Sequence, residues 1–175
     1  MRVIAKYARQ VRRAVDEHPG FAGFFDPRAL LVPVPGCGTA DGGSNLVAHR
    51  LAEAFVREGL AAAHFDCLRR VRTVGKSAIG TRGARPGAES HYASLVVRTS
   101  RSHDGTATLI LVDDVVTRGR TLLAAASRLQ ESFPHARIQA FALIRTLGFA
   151  PRLERLLDPC VGEIRWRGGD ARRNP

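Results

Sequence analysis

Two adjacent carboxylates, Asp113 and Asp114, follow the apolar run Leu109-Ile110-Leu111-Val112 and precede Val115, Val116 and the loop Thr117-Arg118-Gly119-Arg120-Thr121. Paired carboxylates accept hydrogen bonds from vicinal hydroxyls, or hold a hydrated Mg²⁺. A loop of small and hydroxylic residues that opens a helix presents backbone N–H groups to an anion. Acids beside a phosphate cradle suit a sugar phosphate. The apolar run reads as a strand buried on both faces, as in parallel sheets, and acids just past it sit at its carboxyl end, where open α/β sheets bind ligands.

In that order the residues TLILVDDVVTRGRT resemble the phosphoribosyl-pyrophosphate (PRPP) motif of the type I phosphoribosyltransferases: a hydrophobic strand, two acids, two hydrophobics, then T-x-G-x-T. The resemblance implies that Asp113 and Asp114 hold the ribose 2′- and 3′-hydroxyls and meet Mg²⁺ indirectly, through Mg–PRPP. It implies that Val115, Val116, Thr117, Arg118, Gly119, Arg120 and Thr121 form the phosphate-binding segment. In purine-specific relatives a carboxylate stands where this chain has Thr117, which argues against standard purine salvage and leaves the general acid or base unassigned.

Two other segments fit the same resemblance. The stretch LLVPVPGCGTADGGSN is similar to the ComF-like branch, in which a VPVP strand precedes a loop and an asparagine-containing helix start. By that likeness Pro35, Gly36, Cys37 and Gly38 begin a pyrophosphate loop reaching Ser44. Leu68 to Leu95 occupies the place of a flexible loop that closes over PRPP, with Lys76, Arg82 and Arg85 as its cations. Competing motifs fail on single residues. A dinucleotide fingerprint needs glycine where Asp41 stands, and a phosphate loop built on Gly75-Lys76-Ser77 needs one at Arg70.

The elements that must position these groups follow from periodicity. Residues 1 to 18 predict an amphipathic helix, with Val3, Ile4, Tyr7, Ala8, Val11 and Val15 on one side and Pro19-Gly20 ending it. Ala29 to Val34 predicts a strand that Pro33 brings to a close. A helix capped by Ser44 or Asn45 runs to about Gly59. Further strands are expected at 65–71, 92–97, 107–112 and, buried, at 138–144, with a helix at 121–132. Thr73 to His91 reads as a long loop of the kind that serves as a functional lid. The tail offers a short helix at 151–157 and a strand at 161–166, where Trp166 is able to stack on a heterocycle.

Alternating strands and helices call for an α/β fold with a mainly parallel central sheet flanked by helices. The resemblance adds a type I phosphoribosyltransferase-like topology with a flexible loop and a small C-terminal hood. A chain of 175 residues is expected to form one domain: an N-terminal helix at 1–25, a core at 29–146 and a hood at 147–175. The apolar runs are too short to span a bilayer, which argues against a membrane partner. The three cysteines lack CxxC spacing and fit reduced thiols in the cytoplasm. The histidines lack metal-ligand spacing.

The net charge of +11 suits anionic partners. It leaves nucleic acid open beside polyphosphates, although arginine-biased composition also accounts for it. The expected activity is transfer of the 5-phosphoribosyl group from PRPP to a nitrogenous base or amine, with release of pyrophosphate. Homodimerisation is a family expectation. The rival is a non-catalytic protein on the same fold that senses PRPP or associates with nucleic acid. No cysteine pair provides the zinc ribbon common among ComF-like proteins, which weakens a full competence role.

Overall fold

The computed structural model describes residues 2–36, 46–74, 86–98, 108–146 and 158–174. Its centre is β5 (Thr108–Val116), buried without a break from Thr108 to Asp113. A run buried on both sides belongs in the middle of a sheet. β5 pairs in parallel with β1 (Leu30–Pro33) on one side and β6 (Arg137–Arg145) on the other, and β2 (Ala63–His64) completes the order β2-β1-β5-β6. The expected α/β architecture, a parallel sheet flanked by helices, is what forms.

Alternation along β5 divides its side chains between two apolar layers. Leu109 and Leu111 pack with Leu122, Ala125 and Leu129 of α4 (Arg120–Ser132). Ile110 and Val112 pack with Leu51, Ala52 and Phe55 of α2 (Leu46–Arg57) and with Ala8 of α1 (Arg2–Glu17). Each fully buried leucine or isoleucine contributes roughly 1.5–3 kcal/mol to this arrangement. α1 packs through Ile4, Ala8, Val11 and Val15, while Val3 and Tyr7 of the expected stripe stay exposed.

Pro33 sits at the end of β1, as expected, and the backbone shows why it is tolerated. Val34 donates to the Val112 carbonyl (2.9 Å) and Phe65 donates to the Leu31 carbonyl (2.7 Å). Successive residues therefore face β5 and β2 in turn, and the missing Pro33 N–H points toward β2. But β2 pairs only with Leu30 and Leu31. No ladder bond is lost.

Several expected elements differ. The strand at 65–71 shortens to β3 (Leu68–Arg70), which pairs antiparallel with β4 (Leu95–Val97) in a separate ribbon, while the unexpected Ala63–His64 before it joins the central sheet. The strand at 92–97 is shorter, because α3 (Ala88–Ser94) takes up its first half and the end of the expected long loop. Residues 75–85 of that loop lie outside the described residues. β6 is half-buried rather than buried, since it is an edge strand with only β5 beside it. The tail strand forms as β7 (Glu163–Arg167) and pairs with an unexpected β8 (Asp170–Asn174). Their connection is Gly168-Gly169, both at positive φ (59° and 78°), as a two-residue hairpin turn requires. The expected helix at 151–157 lies outside the described residues.

Candidate functional site

Asp113 and Asp114 lie inside β5 rather than beyond it, because pairing with β6 continues to Val116↔Arg145. β1 stops at Pro33, opposite Val112. The β1–β5 ladder therefore ends at Val112, and a crevice lined by Asp113 lies beyond it. The Asp114 N–H donates to Asp113 Oδ1 (2.9 Å), and the Val115 N–H donates to Asp114 Oδ1 (2.9 Å). These bonds hold the carboxylates against the strand end. Burial pushes the Asp113 carboxyl up to about 7, helped by its side-chain hydrogen bond to Asp114 and opposed by the charge of Arg70.

The loop that follows turns on Gly119, which has φ +80° and caps α4. Its carbonyl accepts from Leu123 N–H (2.8 Å), closing the first turn. Only glycine adopts this conformation without strain. The space is also taken: a Cβ on Gly119 would meet Ile164 Cδ1 at 2.6 Å. A small pocket, open to solvent, runs from Asp113 past Val115, Val116 and Thr117 to Gly119, Arg120 and Thr121. Most of the predicted phosphate segment thus meets in one concavity with the buried acid. Arg118 is exposed and does not line it.

Arg120 was expected among the phosphate ligands, and its guanidinium is engaged elsewhere. Nε donates to Asp170 Oδ1 (2.7 Å), Nη2 donates to Asp170 Oδ2, and Nη1 donates to the Pro86 carbonyl (3.0 Å). It fastens the start of α4 to the C-terminal hairpin and to the segment before α3. The same bonds hold the Asp170 carboxyl below its usual range.

A second arginine, Arg70, is almost wholly buried at the end of β3. Its Nε donates to the Gly36 carbonyl (2.8 Å), Nη2 to the Pro35 carbonyl (3.3 Å), and Nη1 to Ser94 Oγ. Pro35 and Gly36, the described start of the expected pyrophosphate loop, are thereby tied to the β3–β4 ribbon. Cys37 and Gly38 lie outside the described residues, as do Lys76, Arg82 and Arg85. His91 sits nearby, its Nδ1 3.4 Å from Thr121 Oγ1. Burial, with the charges of Arg70 and Arg120, pushes this imidazole down to about 4, so it is neutral at physiological pH.

Sequence reasoning missed Arg70, His91, Ile164 and Asp170. Arg70 and His91 reach the site through contacts distant in sequence, which no local pattern marks. The Gly168-Gly169 pair after an alternating strand is a legible hairpin signal, and it would have placed Asp170 on a returning strand. Trp166, the expected stacking residue, is on this hairpin and partly exposed.

Among the described residues no group of three or more histidine, cysteine or acidic side chains is placed to hold a metal ion. Two carboxylates, one buried and near its titration point, make no cage for a bare cation. They suit a hydrated Mg²⁺ that arrives on a polyphosphate, since Mg²⁺ keeps several waters and shares one or two carboxylates with its substrate.

No protein-family model matches the chain, and no curated protein matches it. Similar solved structures include a hypoxanthine phosphoribosyl transferase of Trypanosoma cruzi, 15% identical, covering 82% of this chain and 63% of that one at a TM-score of 0.40. Another is the glutamic acid mutant from an analysis of an invariant aspartic acid in HPRTs, 12% identical, covering 83% and 75% at 0.38. A ternary substrates complex of a mutant Trypanosoma cruzi hypoxanthine phosphoribosyltransferase is 13% identical, covering 83% and 75% at 0.38. The chain spans less than two thirds of the first of these. Scores and identities this low assign no activity.

Proposed function

We propose that this chain is a PRPP-dependent phosphoribosyltransferase, moving the 5-phosphoribosyl group to a nitrogenous base or amine and releasing pyrophosphate. The observation that carries the reading is one concavity holding both features of a sugar-phosphate site. Asp113 lines it just past the end of the β1–β5 ladder, and Gly119 starts α4 with the Thr117–Thr121 backbone around it. Ribose hydroxyls would donate to Asp113 and Asp114, and the loop N–H groups with the α4 N-terminus would take the 5′-phosphate. The Pro35–Gly36 turn, fixed by Arg70, would start the pyrophosphate side. The order of motifs favours the ComF-like branch, and the free thiols Cys67 and Cys160 suit a cytoplasmic setting.

Bond breaking at the anomeric carbon passes through an oxocarbenium-like state, so the chain's task is electrostatic. The acids orient the ribose and face its developing positive charge. Asp113 and Asp114 would hold Mg²⁺ through the substrate, and the ion would supply charge neutralisation at the leaving pyrophosphate. Thr117 offers a hydroxyl and no charge, so activation of the nucleophile falls to another group. Asp113, its carboxyl pushed up to about 7 by burial, is the carboxyl group lining the pocket.

Calorimetry with PRPP and Mg²⁺ tests the reading. Asp113→Asn combined with Asp114→Asn removes two charge-assisted acceptors, each worth roughly 1.5–3 kcal/mol, so affinity is expected to fall at least about a hundredfold with far-UV dichroism unchanged. Unaltered affinity would overturn the site. PRPP binding without pyrophosphate release across a panel of bases would instead make the chain a sensor.

A further inference from the structure

Arg173 on β8 carries a buried guanidinium nitrogen, Nη1, with no hydrogen-bond partner. Its neighbour Nη2 donates to the Thr146 carbonyl (2.7 Å), and the Thr146 N–H in turn donates to the Val116 carbonyl (3.0 Å). Val116 lines the pocket. Arg173 is also the cross-strand partner of Ile164, so both side chains leave the hairpin on one face. Ile164 lies on Gly119. The unpaired N–H is therefore held beside the phosphate loop by the same hairpin face that covers it.

A second cation stands close. Arg145, at the end of β6, is near enough that its charge, after burial itself, pushes the Arg173 guanidinium down, with Cys160 acting in the other direction. Neither arginine makes an ion pair among the described residues. Asp170 is bound to Arg120, and Glu163 is bound to Arg165. A buried donor left unpaired is destabilising, more so for a charged group, and two like charges at part-buried positions add to that. An unsatisfied buried group calls for an explanation, and a bound anion is one that two neighbouring arginines favour. The complement is an oxyanion, because a guanidinium fork matches the two oxygens of a carboxylate or phosphate.

We propose that Arg173 and Arg145 form an oxyanion site beside the Thr117–Thr121 loop, filled by an acidic group of a bound ligand. The geometry of hairpin and sheet carries this inference. Which ligand brings the oxyanion depends on the phosphoribosyl reading: the acceptor base bearing a carboxylate, or a phosphate of the sugar.

Two calorimetric arms separate these sources in the wild type, Arg173→Gln and Arg145→Gln. One titrates inorganic phosphate without PRPP. The other compares nicotinate with its neutral counterpart nicotinamide, with and without Mg–PRPP. A tenfold or greater weakening of phosphate in the variants identifies a phosphate subsite. A wild-type preference for nicotinate of about tenfold, lost in the variants, identifies an acidic acceptor. The preference is a ratio within one protein, so general destabilisation lowers both members and leaves it unmoved. Arg145→Gln keeps the test open if Arg173→Gln fails to fold, since Arg145 makes no side-chain hydrogen bond among the described residues. Both arms staying within twofold of the wild type in the variants, or a wild type that binds none of the probes, overturns the site. The phosphate arm needs no PRPP, so its result stands apart from failure of the phosphoribosyl reading.

Discussion

Asp113 and His91 share Arg70 as a neighbour, and folding moves their proton affinities in opposite directions. Asp113 holds its proton up to about 7 in the native state, so between its ordinary carboxylate value and 7 the folded chain binds more protons than the unfolded one. Its contribution to stability falls as pH rises through that window. His91 is neutral down to about 4, so the unfolded chain binds more protons below the ordinary imidazole value, and its contribution rises with pH. The two slopes oppose each other between roughly pH 4.5 and 6.5. Wild-type unfolding free energy, measured by urea titration, is expected to be nearly flat there. Asp113→Asn should expose a rise with pH of about 2 kcal/mol, and His91→Asn a fall of about the same size. Parallel slopes in the two variants would remove the idea. The identity and order of the acids were legible in the sequence. The shifted titrations were not, since burial is their largest cause and a linear pattern does not show what folds around Asp113 and His91.

At the level of elements, the C-terminal hairpin is a separate two-stranded ribbon, and isolated ribbons are marginal in water. Its attachment is specific: Ile164 on Gly119, the Asp170 carboxylate on Arg120, and Arg173 on the Thr146 carbonyl. Asp170→Asn keeps the size of the side chain and removes the charge. Hydrogen exchange of residues 163–174 should accelerate about fivefold to tenfold, equivalent to about 1 kcal/mol, while β5 amides stay protected. Equal acceleration in both would mean that the pair supports the whole core. The long regular elements were readable because apolar spacing is a strong signal over nine to sixteen residues, as in β5, α4 and α1. Short elements lacked one. β3 and β4 span three residues each, α3 only seven, and the β8 residues DARRN contain one apolar side chain. Pairing partners made them, not local pattern.

Over the whole molecule, positive charge exceeds negative by 11, and several acids are already committed to arginines on their own helix, as in Arg12–Asp16, Arg13–Glu17 and Arg57–Glu53. The surplus gives the chain a net attraction for polyanions. Fluorescence anisotropy with a random duplex should show binding at 50 mM salt that weakens by roughly a thousandfold at 200 mM, as for about six phosphate contacts. Affinity that withstands salt would point instead to a dedicated nucleic-acid surface. The field was legible from composition alone, whereas the joining of distant segments at the pocket was not. That joining has a consequence for synthesis. Asp170 lies 50 positions downstream of Arg120, so the strand, the acids and the glycine turn are synthesised before the residues that pack on Gly119 and Arg120 exist. Until then Gly119 has no Ile164 above it and Arg120 no carboxylate. A growing chain would carry a bare anion cradle first and a finished one only after the hairpin emerges, so translation itself sets the moment at which the pocket takes its final shape.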